Sequence, residues 1–302
     1  MPGLVFHPNY DIPLPDGHRF PATKFSRLMA CLEARGLLSQ FDIHQAEPVA
    51  AADLAAIHDP QYIDAIANGT LDATAIRTLG LKWSDVLAKR SFLAVNGTLR
   101  AARLALTDGI ACHAAGGTHH AHYDYGAGFC VFNDLAYAAT RLLDEGAVQS
   151  VLIFDCDVHQ GDGTARILAK DDRVKTVSLH CRTNYPARKA TSDLDVEIEK
   201  GTDDAGYLDI LANILARVDR EFGRPDLVIY DAGVDVHQND KLGYLEISDE
   251  GLLARDIQVV QHFRAQDIPV ATVIGGGYGE DLDELAWRHS TVFAAALAVA
   301  KS

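Results

Sequence analysis

Five short stretches of this chain are apolar at nearly every position, and that property limits the possible folds more than any other. They are "GIACHAAGG" (109–117), "SVLIFD" (150–155), "VKTVSLH" (174–180), "DLVIYDAG" (226–233) and "PVATVIGGG" (269–277). A strand with one face in water alternates apolar and polar side chains, so runs apolar on both sides must be covered on both faces. Around them lie segments with helical spacing. "ATKFSRLMACLEARG" (22–36) sets Phe25, Leu28, Met29 and Leu32 on one side and stops at Gly36. "DPQYIDAIANG" (59–69) starts at Asp-Pro and stops at glycine. Further helices are expected over 83–108, 133–145, 162–169, 205–222, 249–265 and 281–299, with 66–84 and 181–204 as surface loops. Strands alternating with helices indicate an α/β protein with a mainly parallel sheet between helical layers. No repeat, low-complexity segment or Ser/Pro linker interrupts the pattern, so residues 1–302 are expected to form a single domain.

Charge narrows the partners. With 42 acidic and 27 basic residues the formal net charge is −15, and such a field repels nucleic acid and anionic membranes but not cationic substrates. The five cysteines are scattered without a CxxC pair, which reads as reduced core thiols in a cytoplasmic protein. The opening "MPGLVFHPNYDIPLPDGH" lacks a basic region followed by an apolar one, and no window approaches eighteen consecutive apolar residues. Neither an export signal nor a membrane span is expected.

Sites in parallel sheets form where strands end at their carboxyl side. Four polar clusters follow apolar runs in this way: 113–129, 155–163, 231–240 and 274–284. In "DCDVHQGDG" (155–163), an extended chain past Phe154 would point Asp155, Asp157 and His159 to one side. That crowding is costly unless a cation stands among them, and a divalent metal resolves it. A calcium loop is excluded by Gln160 and Arg166 at its sixth and twelfth positions. Two carboxylates and an imidazole can supply the three protein ligands of a catalytic zinc. Asp235 in "VIYDAGVD" is the natural third ligand, with Asp231 and His237 as competitors. His119 and His120 can serve one pocket only in a turn, which Gly116 and Gly117 permit. Asp155 and Asp162 are then the spare acids that could orient them. Tyr278 stands on a glycine turn lacking the lysine and hydroxyl of a phosphate loop, and a phenol there could donate to a developing oxyanion. Taken singly, each feature could equally be something plainer: a solvated acidic turn, a satisfied histidine pair, a packing tyrosine.

Together and in this order, "GGTHHA", "GFCVFND", "DCDVHQGDG", "DAGVD" and "GGGY" resemble the zinc-dependent histone deacetylase family of the arginase/deacetylase superfamily, over nearly the whole chain. "GHRFPATKF", "DVHQGDG", "NYP" and "KGTDDAGYLD" look most like its class IV branch and bacterial relatives. The resemblance implies a three-layer arginase/deacetylase fold with about eight strands, and hydrolysis of N-ε-acyl-lysine amides. It implies zinc on Asp157, His159 and Asp235, His120 with Asp162 as general base and acid, His119 with Asp155 as electrostatic partner, and Tyr278 polarising the carbonyl. Gly128, Phe129, Tyr185 and Leu242 would line an acyl-lysine tunnel, and Asp155, Asp157, His159, Ser178 and Leu179 would hold a structural potassium ion. Tyr185 departs from the usual phenylalanine wall, and His237 sits where a second-metal ligand lies in arginase-like relatives. The family's substrate-gripping aspartate is matched by no motif here, and Asp85 is taken as its candidate. Alternatives are an acetylpolyamine hydrolase, which the acidic surface favours, a binuclear manganese ureohydrolase, and a catalytically dead acyl-lysine binding module.

Overall fold

The structure is a computed structural model and describes residues 1–301. Eight strands form one sheet: β1 (Gly3–Phe6), β2 (Asp42–Gln45), β3 (Ile110–His113), β4 (Val151–Asp155), β5 (Val174–Cys181), β6 (Leu194–Ile198), β7 (Leu227–Asp231) and β8 (Val270–Val273). Their order is β2-β1-β3-β8-β7-β4-β5-β6, and every pairing is parallel. The five strands expected from apolar runs are β3, β4, β5, β7 and β8, and all of β3, β4, β7 and β8 is buried.

The helices are α1 (Lys24–Ala34), α2 (Ala51–Leu54), α3 (Pro60–Asn68), α4 (Ala73–Leu79), α5 (Asp85–Asp108), α6 (Asp134–Asp144), α7 (Asp162–Leu168), α8 (Asp204–Phe222), α9 (Asp249–Arg264), α10 (Leu282–His289) and α11 (Thr291–Ala300). Their starts follow local chemistry. Asp59, Asp72, Ser84, Asn133, Asp203, Ser248 and Asp281 each accept backbone N–H groups of the first turn, replacing bonds that a helix start lacks. Three expectations are corrected. The 66–84 stretch contains α4, started by Asp72 and ended by Gly80 in a left-handed conformation. The 181–204 stretch contains β6, whose Asp195 pairs in register with Ser178 of β5. The expected 281–299 helix breaks at Ser290 into α10 and α11. Among the described residues no helix is long and apolar enough to cross a membrane.

The topology positions the site. β3, β8, β7 and β4 are consecutive neighbours in the sheet. Because they run parallel, the segments leaving their carboxyl ends emerge side by side, which brings all four polar clusters to one edge.

Candidate active site

Asp157 and His159 lie just beyond β4, and Asp235 lies beyond β7. All three are buried, and one ligand atom from each falls within 4.8 Å of the others. His159 Nδ1 is 3.0 Å from both Asp157 Oδ1 and Asp235 Oδ2. Backbone N–H groups orient the carboxylates: Gly276 N donates to Asp157 Oδ2 at 2.7 Å and Val158 N to Asp235 Oδ1 at 2.9 Å. Burial opposes charge on His159, but hydrogen bonds to Asp157 and Asp235 hold its proton up to about 10. Two carboxylates and an imidazole with ligand atoms this close suit a small divalent ion with bonds of about 2.0–2.2 Å, which would take the place of the imidazole proton between them. The donor set therefore fits a metal.

His119 and His120 stand beside this triad with ring centroids 4.1 Å apart. Asp155 Oδ2 is 2.7 Å from His119 Nδ1, and Asp162 Oδ1 is 2.8 Å from His120 Nδ1. Asp231 belongs with His119 and Asp155 in a second buried triad, its side chain fully enclosed and without a hydrogen-bond partner. Burial and then the Asp155 charge raise its pKa well above the carboxylate range. His237 turns away from both triads, with Nε2 3.2 Å from Asp249.

Above the histidines opens a cavity of about 680 Å³ whose wall includes Gly128, Phe129, Tyr185, Leu242 and Tyr278. Gly128 has φ +52°, and a Cβ there would stand 2.6 Å from the His120 ring. Phe129 is left-handed as well, at φ +68°, a conformation that costs a non-glycine residue of order 1–3 kcal/mol and clusters at functional sites. Tyr185 meets the His120 ring edge-on at 4.8 Å. Asp85 is exposed in the first turn of α5 and does not line the cavity.

Comparison with known proteins identifies the relationship. The profile of the Histone deacetylase domain matches residues 18–294. The chain belongs to the histone deacetylase domain family. It is 31% identical to Histone deacetylase 2 of Arabidopsis thaliana over 91% of this chain and 74% of that protein. It is 45% identical to an uncharacterized protein of Picosynechococcus sp. over 97% of each, and 28% identical to the acetoin utilization protein AcuC of Staphylococcus aureus over 91% and 76%. The crystal structure of the HDA15 HD domain superposes with a TM-score of 0.82 over 99% of this chain and 89% of that one, at 21% identity, so the two share a fold.

Several residues that support this family site are hidden in the sequence. Asp134, at the start of α6, accepts the backbone N–H groups of Gly117 (3.1 Å) and Thr118 (2.7 Å) and so fixes the loop carrying both histidines. Asp162 also faces His122 at 3.2 Å and Arg166 at 2.8 Å. Burial alone would raise its pKa, but the hydrogen bonds from His120 and His122 hold it well below the usual range. Asp240 accepts from Leu242 N, Gly243 N and Tyr278 N. Asp162 and Asp134 carry a signal, in "DCDVHQGDG" and "GFCVFND", whereas the contacts of His122, Arg166 and Asp240 carry none.

Proposed function

We propose that the chain hydrolyses N-ε-acyl-lysine amides with zinc as its metal. One observation supports this above others: a buried Asp157–His159–Asp235 cluster and two carboxylate-backed histidines meet below one open cavity. Asp157, His159 and Asp235 would hold the ion, which when bound supplies Lewis acidity and lowers the pKa of water from about 15.7 towards 7.

The rest falls to the protein. Asp162 fixes a proton on His120 Nδ1, leaving Nε2 free to take the proton of the attacking water and to return it to the leaving amine. Burial, then the charge of His119, push His120 down to about 3, which keeps its ring neutral before reaction, and the Asp162 carboxylate favours the proton that it then takes up. For His119, burial opposes charge, but Asp155, Asp157 and Asp231 outweigh it and raise the pKa. It thereby sets positive charge beside the carbonyl. Tyr278 keeps its proton, because burial and the charges of Asp235 and Asp157 raise its pKa well above normal. Its hydroxyl would donate to the carbonyl oxygen as charge develops, a preorganised contribution of about 3–4 kcal/mol. Gly128, Phe129, Tyr185 and Leu242 would enclose the lysine methylenes and exclude water.

Finer assignments belong to the same proposal: the class IV branch, one domain over 1–302, and a cytoplasmic setting in keeping with five unpaired cysteines. So does potassium on Asp155, Asp157, His159, Ser178 and Leu179, supported by the register that sets Asp155 beside Ser178. The test is a panel of ε-acyl-lysine peptides, acetyl to myristoyl, and acetylpolyamines, assayed with and without chelator. Hydrolysis should vanish on metal removal, return with zinc, and fall about 10²–10⁴-fold in His120→Ala. Activity that survives metal removal would refute the proposal, and two manganese ions per chain would favour the ureohydrolase.

A further inference from the structure

Any part of a substrate beyond the scissile amide must cross the cavity mouth, and its charges differ from the rest of this acidic chain. The residues lining the cavity include Arg19 and Arg77 and no aspartate or glutamate. Arg77 lies in the last turn of α4, where its guanidinium donates to the uncharged Thr74 Oγ1 at 2.9 Å, and both arginines are exposed. His18, also on the wall, has both ring nitrogens engaged, by Gly80 O and Phe20 N. Arg19 further borders an adjoining hollow of about 600 Å³, whose other charged residues, Lys241 and Glu280, pair with each other. The mouth is therefore a basic island with space beside it for more than one acyl-lysine side chain.

Two charge effects oppose each other. The net charge of −15 attracts polycations at a distance, but salt screens such fields beyond about 8–10 Å. Among the described residues that line the mouth, the only acidic or basic side chains apart from histidine are the two arginines, whose guanidinium groups recognise carboxylates in a planar fork. We propose that the mouth selects acyl-lysine peptides bearing carboxylates beside the acyl-lysine and disfavours polycations such as acylated polyamines. This inference rests on the hydrolase reading above.

The test uses the metal-loaded protein and three acetyl-lysine peptides that differ only in flanking residues, aspartate, alanine or lysine, with the dication N-acetylspermidine as a fourth probe. Binding is read by fluorescence anisotropy or competition, and hydrolysis in parallel. Exposed ion pairs are individually weak, so with two arginines binding of the acidic peptide should exceed that of the alanine peptide roughly twofold to thirtyfold, with the lysine peptide weakest. High salt should compress the series, and Arg19→Ala with Arg77→Ala should bring the acidic-to-alanine ratio close to one. Equal or tighter binding of the lysine peptide or N-acetylspermidine overturns the proposal, as does a ratio that persists in the double variant. Hydrolysis of the alanine peptide reads the chemistry separately. Acidic-first binding without hydrolysis supports the mouth assignment and defeats the hydrolase reading, whereas hydrolysis without that order does the reverse.

Discussion

A side chain at position 276 would have no room: a Cβ on Gly276 would stand 2.5 Å from Asp157 Oδ2 and closer still to Asp235 Oδ2. Gly276→Ala must spread the carboxylates and weaken the N–H bond to Asp157, so zinc affinity should fall about 10–100-fold, as is usual when ligand-orienting contacts are lost. Competitive titration against a chromophoric chelator measures this, and unchanged affinity would contradict the assigned ligand geometry. His58 carries a second prediction, on stability. It is buried, accepts from Asn133 N through Nε2 at 2.9 Å and has Nδ1 3.2 Å from Tyr123 O, so the ring must stay neutral. Burial pushes its pKa from 6.5 down to about 4. The folded pKa lies below the unfolded one, so between those values the unfolded chain binds more protons. Stability should then fall as pH falls through that window, at up to about 1.4 kcal/mol per pH unit for this residue. Melting curves of His58→Gln should show a shallower acid slope than the native chain, and an equal slope would rule the mechanism out. These residues differ in how far the sequence discloses them. Asp157 and His159 are legible because acid and imidazole at period-two spacing, straight after a buried apolar run, are costly to fold without a cation between them. The residues alone leave Asp231 as a competitor of Asp235 and the resemblance prefers Asp235; in three dimensions Asp231 joins His119 and Asp235 joins His159.

Elements were legible in proportion to their burial. β3, β4, β7 and β8 announce themselves because both faces are covered. β2 reads "DIHQ" and is mostly exposed at the sheet edge, while β6 alternates in "LDVEI" at the other edge, so neither leaves an apolar run. β1 spans four residues, too few for a period to show. The four site segments lie on adjacent strands, a fact fixed by topology and invisible to spacing, and the contacts between segments escaped for the same reason. Asp240 is the clearest case: one oxygen accepts Leu242 N (2.8 Å) and Gly243 N (3.0 Å), the other Tyr278 N (2.6 Å). A single carboxylate thus ties the segment after β7 to the turn after β8. Asp240→Ala should loosen Tyr278 and the Leu242 wall together. Burial, then the charge of Asp235, raise the Asp240 pKa to about 7, so its bonds lie between the roughly 0.5–1.5 kcal/mol of a neutral pair and the roughly 1.5–3 kcal/mol of a charged one, and kcat/KM should fall roughly 10–100-fold with bound metal unchanged. In Asp240→Asn the amide can still accept from 242 and 243 but cannot accept from Tyr278 N on its –NH2 side, so kcat should remain low. Full activity in both variants would remove Asp240 from this role.

At the scale of the molecule, one edge of the sheet gathers Asp155, Asp157, Asp231 and Asp235, all buried, in a chain already at −15. Burying carboxylates together is costly without cations, so a bound metal should stabilise the whole fold as well as the chemistry. An ion that binds only the folded chain adds about 2.7 kcal/mol at a hundredfold excess over its Kd. For a chain of this size that is roughly a 5 °C rise in Tm. Zinc should produce the rise in chelator-treated protein, whereas magnesium at equal ionic strength should not, since screening of the net charge would act for either ion. Two clusters compete for that ion, and the fold makes them separable because Asp235 belongs to one and Asp231 to the other. Asp235→Ala should abolish the zinc-dependent rise if the ion sits with Asp157 and His159. Asp231→Asn should preserve it, because Asp231 stands with His119 and Asp155. A zinc response that survives Asp235→Ala and disappears in Asp231→Asn would move the metal to His119 and Asp155, and with it the assignment of every proton in the site.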